Sequence, residues 1–487
     1  MQQIFKAFKL LALTVVCLLL ITLNNSAKAA DDICASVNAL DGNPFANAAV
    51  PLPSSYQGPK FQLSYNYPTT LPQLPPDPPW IKALGGNAIS QDNAIAYVNA
   101  LKDYIGDDMR RLILDYEHWD ADQAGWYNLP WICSIRDPVH GSYVGASSFE
   151  RNMFPLSGLK KDMATHVLVY YNDIAGYTLR QIWGDTGETA KNPDLSNPQF
   201  EEGAIIIKVA MTTALPEDWS PLEGAAQWKV YAPLDNNLEW KNPKFFDTSV
   251  FQFDIIVKDT KTAPKTGWVF ATLTYDKEAL GDAWNRLVPL GAMWGNDPAT
   301  NSAINPNDIL MENVINPIAF LYATETLGYG GRLSGPNDGA VVQDAFIIGE
   351  PPEKKVARMS VSSCMSCHGV AEWPMKSFLL PGFLDQNKMT QVYNPGSPDF
   401  NRWFQNRPGN VPQDSGTIAL DYGMNMAFKA LPLWHKWYQE AEKSRQPLLT
   451  TPNLLQGAPN PVEAVPVYLR DLLLNPENTG YNGLPIK

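Results

Sequence analysis

Residues 364–368 read Cys-Met-Ser-Cys-His. Two thiols separated by two residues and followed at once by an imidazole form the pattern through which a c-type haem is attached covalently. On the first turn of a helix, Cys364 and Cys367 can bond to the two vinyl-derived edges of one porphyrin. His368 then lies under the ring, with Nε2 toward the iron. Paired cysteines also serve two other chemistries. A redox dithiol needs a βαβ frame, and a structural zinc site needs a second Cys/His pair. The remaining cysteines, Cys17, Cys34 and Cys133, stand at no metal-ligand spacing. The pentapeptide therefore predicts one covalent haem c on Cys364 and Cys367, with His368 as the proximal iron ligand.

The ligand on the opposite face of the iron separates two classes of function. A methionine thioether there raises the potential and suits electron transfer. An open position admits a small molecule and suits catalysis. Met424 or Met426 is the leading distal candidate; two residues apart on a helix, they point to different sides, so at most one can ligate. Met375, Met389, His435 and an open site are the alternatives, and methionine in an amphipathic helix also serves as core filler. Arg332 and Arg358 are candidate partners for haem propionates, because guanidinium matches carboxylate geometry; ordinary surface arginines are the alternative reading. His118, His140 and His166 lie far upstream, and His118 and His166 read as hydrogen-bonded structural histidines. No His/Glu spacing points to a second metal, and no nucleophile triad stands out.

The elements that must position this site occupy a chain of 487 residues, enough for two or three domains of ~150 residues. Residues 1–29 read as a secretory signal: Lys6 and Lys9, an apolar core from Leu10 to Leu23, and the small-x-small site Ala27-Lys28-Ala29. That core is shorter than the ~20 residues of a membrane span, so the expectation is cleavage and an exported, periplasmic protein with no span. Export agrees with haem attachment, which takes place outside the cytoplasm. Cys34 and Cys133 would then be either a disulfide or two buried thiols. The formal charge is −13, and residues 1–29 contribute only Lys6, Lys9 and Lys28 to it, so the remainder is more acidic still. Such a balance argues against nucleic acid or an anionic membrane as partner and is compatible with a basic redox partner protein.

The fold expected is α+β. Residues 30–164 form a Pro- and aromatic-rich N-terminal region, in which Ser90 is the candidate cap of a helix with Ile95, Val98, Leu101 and Ile105 at helical spacing. Residues 165–352 form an antiparallel β-rich domain without intervening long helices, with strands at Thr165–Tyr171, Ala204–Ala210, Trp228–Tyr231, Val250–Val257, Trp268–Tyr275 and Ala345–Ile348. Alternation of Phe251, Phe253, Ile255 and Val257 with Gln252, Asp254, Ile256 and Lys258 predicts a half-buried strand. Gly328–Arg332 lacks the Gly-Lys-Ser/Thr ending of a phosphate loop and reads as a tight turn. Residues 353–445 form a mostly helical haem domain, with helices expected at Ile418–Ala430 and Leu433–Lys443. A Pro- and Asn-rich tail, 446–487, follows.

Ser362–Gly369 resembles the haem-attachment segment of mono-haem c-type cytochromes. The resemblance covers the C-terminal quarter and implies thioether bonds at Cys364 and Cys367, with His368 as axial ligand. A second resemblance lies in the middle of the chain, in Glu202–Lys208, Ile256–Asp259 and Gly267–Ala271. These runs are similar to β-rich mono-haem cytochromes that oxidise hydroxylamine, in which a lysine is cross-linked to the haem. Lys208 would be that lysine here, or else an ordinary strand-edge lysine. In that family the haem motif closely follows the Gly-Trp strand, whereas here Cys364 lies far beyond Gly267. The function expected is one-electron transfer through covalent haem. The alternative is a haem-dependent oxidoreductase acting on a small substrate at an open distal iron.

Overall fold

Eight antiparallel strands form the platform on which the rest of the chain is assembled. The computed structural model describes residues 45, 47–48, 50–130, 136–149, 151, 158–184, 193–233, 243–301, 305, 307–316, 328–337, 342–346, 355–360, 363–376, 390–391, 394–432 and 434–435. The signal segment, Cys34, Cys133, Met389 and the tail 446–487 lie outside the described residues. The strands are β1 (Tyr143–Phe149), β2 (Met163–Tyr171), β3 (Ile205–Thr212), β4 (Gln227–Ala232), β5 (Lys244–Lys258), β6 (Trp268–Tyr275), β7 (Leu287–Met293) and β8 (Asn313–Ile315). Their order is β1-β2-β3-β5-β6-β7-β8. One edge of β5 pairs with β3 over residues 249–257; the other takes β4 at 244–249 and then β6 at 252–258. These segments are dense in β-branched and aromatic residues, which pack well on a pleated surface.

One face of the sheet is covered by α2 (Ala94–Tyr104) and α3 (Gly106–Leu114), which follow a single-turn helix, α1 (Pro79–Lys82). In α2 the buried residues are Ala94, Tyr97, Val98 and Leu101; of the expected stripe Val98 and Leu101 are buried in the helix and Ile105 just past its end, whereas Ile95 is only half-buried. Ser90 is not its cap: the helix begins at Ala94, with Asn93 in the N-cap position and its Oδ1 accepting from the Ser90 amide. Lys102 lies over Trp284, which meets Phe253 of β5 edge-on at 5.1 Å. Trp228 of β4 donates to the Ile113 carbonyl of α3.

The opposite face is covered too. β5 is not the half-buried strand that its alternation predicts: Gln252 is 0 % exposed, Asp254 5 % and Ile256 6 %. The physical reason is a cover on the side that Phe270 of β6 presents: the loop at Gly335 and Asn337 packs on Gln252, and the C-terminal segment from residue 363 onward packs on Phe270. Helix α4 (Asp173–Trp183) lies between β2 and β3, where no long helix is expected. Asn172 caps it by accepting from the Ala175 amide, and its end meets the C-terminal segment where Trp183 packs edge-on against Trp434. Among the described residues no helix is long and apolar enough to cross a membrane.

The C-terminal segment is less helical than expected. Its described parts are α5 (Cys364–His368), α6 (Pro398–Trp403) and short strands. β9 (Val342–Phe346) is flanked by β10 (Lys355–Ser360) and β12 (Thr390–Gln391), and β11 (Glu372–Trp373) pairs with β13 (Ile418–Ala419). The expected helix at Ile418–Ala430 is therefore corrected. It starts as β13, turns through Asp421 and Tyr422 at φ 47° and 64°, and becomes helical only from Met424, with a π-helical turn over Met426–Ala430. Two successive residues of left-handed backbone cannot continue a right-handed helix. Of Leu433–Lys443, only residues 434–435 are described, and they are helical.

Candidate functional site

The Cys-x-x-Cys-His run folds as a single helical turn because Ser363 caps it. Its Oγ accepts from the Ser366 amide and shares a hydrogen bond with the Ser366 hydroxyl. The Cys364 amide donates to the Leu333 carbonyl, which fastens the turn to the Gly328–Arg332 loop. Residues three and four apart on a helix share a face, so Cys364, Cys367 and His368 project together and are half-buried, while Met365 and Ser366 are buried. Gly369 follows at a close approach: a Cβ there would lie 2.8 Å from the Met365 carbonyl oxygen.

His368 is held from behind. Its Nδ1 lies 2.9 Å from the Tyr422 carbonyl oxygen. A carbonyl only accepts, so Nδ1 carries the hydrogen and the ring lone pair resides on Nε2, the tautomer that metal-ligating histidines use. Phe270 meets the imidazole edge-on with ring centroids 4.9 Å apart. Tyr422 is buried; its hydroxyl donates to the Arg407 carbonyl, and burial raises its pKa. Arg407 closes a loop by donating from Nη1 to the Gly369 carbonyl. Desolvation lowers its pKa.

The residue before Tyr422 ties the site to the sheet. The Asp421 carboxylate is buried and accepts from Lys258 Nζ at 2.7 and 2.8 Å, Trp268 Nε1 at 2.8 Å and the Phe200 amide at 2.9 Å. A Cβ on Gly409 would overlap that carboxylate. Directly opposed residues share one face of a sheet; β5 and β6 pair Ile256 with Phe270 and Asp254 with Thr272, and β3 sets Lys208 opposite Asp254. One strand repeat from Phe270, on the side that the C-terminal segment covers, lies a buried polar group. Asp254 there accepts from Lys208 Nζ, Gln252 Nε2 and Thr272 Oγ1.

The residues singled out in the sequence fall as follows. Met424 and Met426 are buried at the start of the helical turn after Tyr422. The Met424 amide donates to the same Tyr422 carbonyl that accepts from His368 Nδ1, which sets its backbone on the rear side of the imidazole. Met375 is buried, and His435 stacks on Trp373 at 5.2 Å. Arg332 is fully buried and donates to the carbonyls of Asn296, Tyr329, Asp297 and Thr300, with Phe404 4.6 Å beneath it, so it clamps a loop. The side chain of Arg358 lies outside the described residues. Lys208 pairs with Asp254 at 2.7 Å. His140 stacks on Trp228 at 4.5 Å, His166 is buried on β2, and His118 pairs with Asp115 at the surface. None of the three adjoins His368 in any described contact.

Asp421, Tyr422, Arg407 and Phe270 carry the site; the first three escape a reading of the sequence, and Phe270 lies in the Gly267–Ala271 run without being marked there as a site residue. Lys258 and Trp268 lie within the runs that carry the second resemblance, yet nothing in those runs indicates a partner 163 or 153 residues away. Among the described residues no cluster of three or more His, Cys, Asp or Glu could hold a metal ion by itself. The donor set of two thiols and one Nε2 instead fits a covalently held porphyrin. Searches of family models, curated proteins and solved structures return no match to this chain.

Proposed function

We propose that Cys364, Cys367 and His368 carry one covalent haem c and that the protein, exported through residues 1–29, transfers single electrons to and from a redox partner protein. The observation that carries this reading is the bond from His368 Nδ1 to the Tyr422 carbonyl within a capped Cys-x-x-Cys-His turn. It presents the lone pair of Nε2 on the same helical face as the two thiols. When bound, haem supplies a one-electron iron couple. The chain's own contribution is orientation and shielding: Tyr422 fixes the tautomer, Phe270 limits ring rotation, and the sheet covers one side of the site.

A second reading is supported by a separate observation. Met424 is anchored behind the imidazole, and the sheet face beside Phe270 holds the polar group Lys208, Asp254, Gln252 and Thr272. That arrangement suits an iron open to a small substrate better than one closed by Met424. Absorption spectra of the purified oxidised and reduced protein, with and without carbon monoxide, test both. Haem peaks indifferent to carbon monoxide, with the long-wavelength charge-transfer band of a thioether ligand, support the carrier. Rapid carbon monoxide binding supports the oxidoreductase, and protein without covalent haem refutes both.

A further inference from the structure

We infer that Asp421 is a positioning residue for His368, through which Lys258 and Trp268 of the sheet set the donor strength of the imidazole. The inference rests on the haem reading above. Its starting point is an unusual backbone: Asp421 and Tyr422, neither of them glycine, both occupy the left-handed region. Such residues persist there only where the surroundings impose it. What imposes it is visible. The Asp421 carboxylate is fixed by donors from three separate places, namely Lys258 at the end of β5, Trp268 at the start of β6 and the Phe200 amide in the segment after α4. Its own amide donates to the Gly409 carbonyl. With residue 421 locked at both ends, the following peptide turns its carbonyl onto His368 Nδ1.

An ion pair this deeply buried, with side chains 11 % and 0 % exposed, is a poor device for stability alone. Well-packed apolar residues often serve as well or better in its place. It does fix geometry, and the geometry fixed here is that of the Nδ1 bond. A strong acceptor at Nδ1 makes Nε2 a better donor, which favours ferric over ferrous iron, and outer partners of this kind commonly change metal affinity 10–100-fold. Loss of the clamp should therefore raise the potential.

The test uses the full-length protein and the charge-balanced double variant Asp421→Asn with Lys258→Met. Asparagine tolerates left-handed backbone and keeps an acceptor for Trp268. Four quantities are measured: haem content by pyridine haemochrome, the thermal midpoint, the one-electron midpoint potential, and the 1H NMR resonance and exchange rate of His368 Nδ1–H. The expected result is unchanged haem content, faster exchange of Nδ1–H, and about a tenfold shift of the ferric/ferrous balance toward ferrous. That shift is about 59 mV upward. Lys258→Arg, which keeps a cation at the carboxylate, should return the parent values. A lowered thermal midpoint with unchanged potential and unchanged Nδ1–H exchange overturns the inference and leaves a structural ion pair only. Should the double variant not fold, Trp268→Phe removes one donor and should move both readouts in the same direction by less; no movement overturns the inference. The Nδ1–H measurement works with or without haem, so a parent protein lacking haem refutes the haem reading alone.

Discussion

Replacing Phe270 with alanine tests whether the C-terminal segment is seated on the sheet through this ring. Phe270 is 3 % exposed, and its ring meets two residues of that segment, His368 at 4.9 Å and Tyr422 at 6.0 Å between centroids. Truncating a buried phenylalanine costs about 3–5 kcal/mol through lost transfer energy and the cavity left behind. Two ring contacts, each worth about 0.5–1.5 kcal/mol beyond area, place this site near the top of that range. Phe270→Leu keeps most of the volume and should cost less than about 2 kcal/mol. Urea denaturation supplies the difference, read as a lower midpoint at constant slope. Hydrogen exchange locates it: peptides over 363–376 and 418–427 should lose protection, while those over Ala94–Tyr104, behind the other face, should not. A loss under about 1 kcal/mol, or equal loss of protection on both faces, would refute the seating described here.

Three further outcomes follow from named contacts. His140 and His166 are buried, and desolvation lowers their pKa values to about 3 and about 4. The fold therefore holds them neutral; their contribution is complete above the ordinary value of 6.5 and is lost as pH falls from there toward 4 and 3. Unfolding free energies from urea denaturation between pH 7 and 4 should drop by an amount on the order of a few kcal/mol, and the drop should shrink when His166 is replaced by phenylalanine. Arg332→Lys cannot reproduce a fork spread over four carbonyls and should cost about 3 kcal/mol, with faster amide exchange at Cys364 through the loosened Leu333 carbonyl. Gly409→Ala drives a methyl group into the Asp421 carboxylate and should cost about 1–3 kcal/mol, whereas Gly396→Ala, with open space around it, should lose only the smaller amount set by its backbone angle.

The sheet was legible because its strands announce themselves locally. Trp268–Tyr275 matches β6 at both ends, and in five other strands the ends are displaced by at most six residues. Only one of them, β5, is extended by as much as six residues, at its N-terminal end. β1, β7 and β8 escaped because Tyr143–Phe149 carries Gly and Ser, Leu287–Met293 contains a proline, and Asn313–Ile315 is only three residues long. Each is recruited by a neighbour and has little propensity of its own. The attachment turn was equally plain, since its chemistry is contiguous. What escaped is what surrounds it. Nothing near Asp421 indicates a buried carboxylate with three donors, because those donors arrive from strands and loops brought close only by the fold. Met424 and Met426 illustrate the same limit: spacing from His368 made them candidate ligands, but where the Met424 backbone lies depends on the left-handed turn before it, which spacing does not show.

The cover on the second face of the sheet comes from residues made long after the strands it protects. Tyr143 donates to Asn425 across 282 positions, and Lys258 meets Asp421 across 163. As the chain emerges from export, the strands can pair while Gln252, Asp254 and Phe270 still face water, and the polar side chains on that face make the wait tolerable. Closing loops of this length is slow, so the segment with Cys364 and Cys367 should remain an accessible tail beside a formed sheet for some time. That interval would let an external enzyme reach both thiols before docking hides them. On the haem reading proposed above, the order in which the chain emerges would separate covalent modification from the docking that leaves both thiols half-buried.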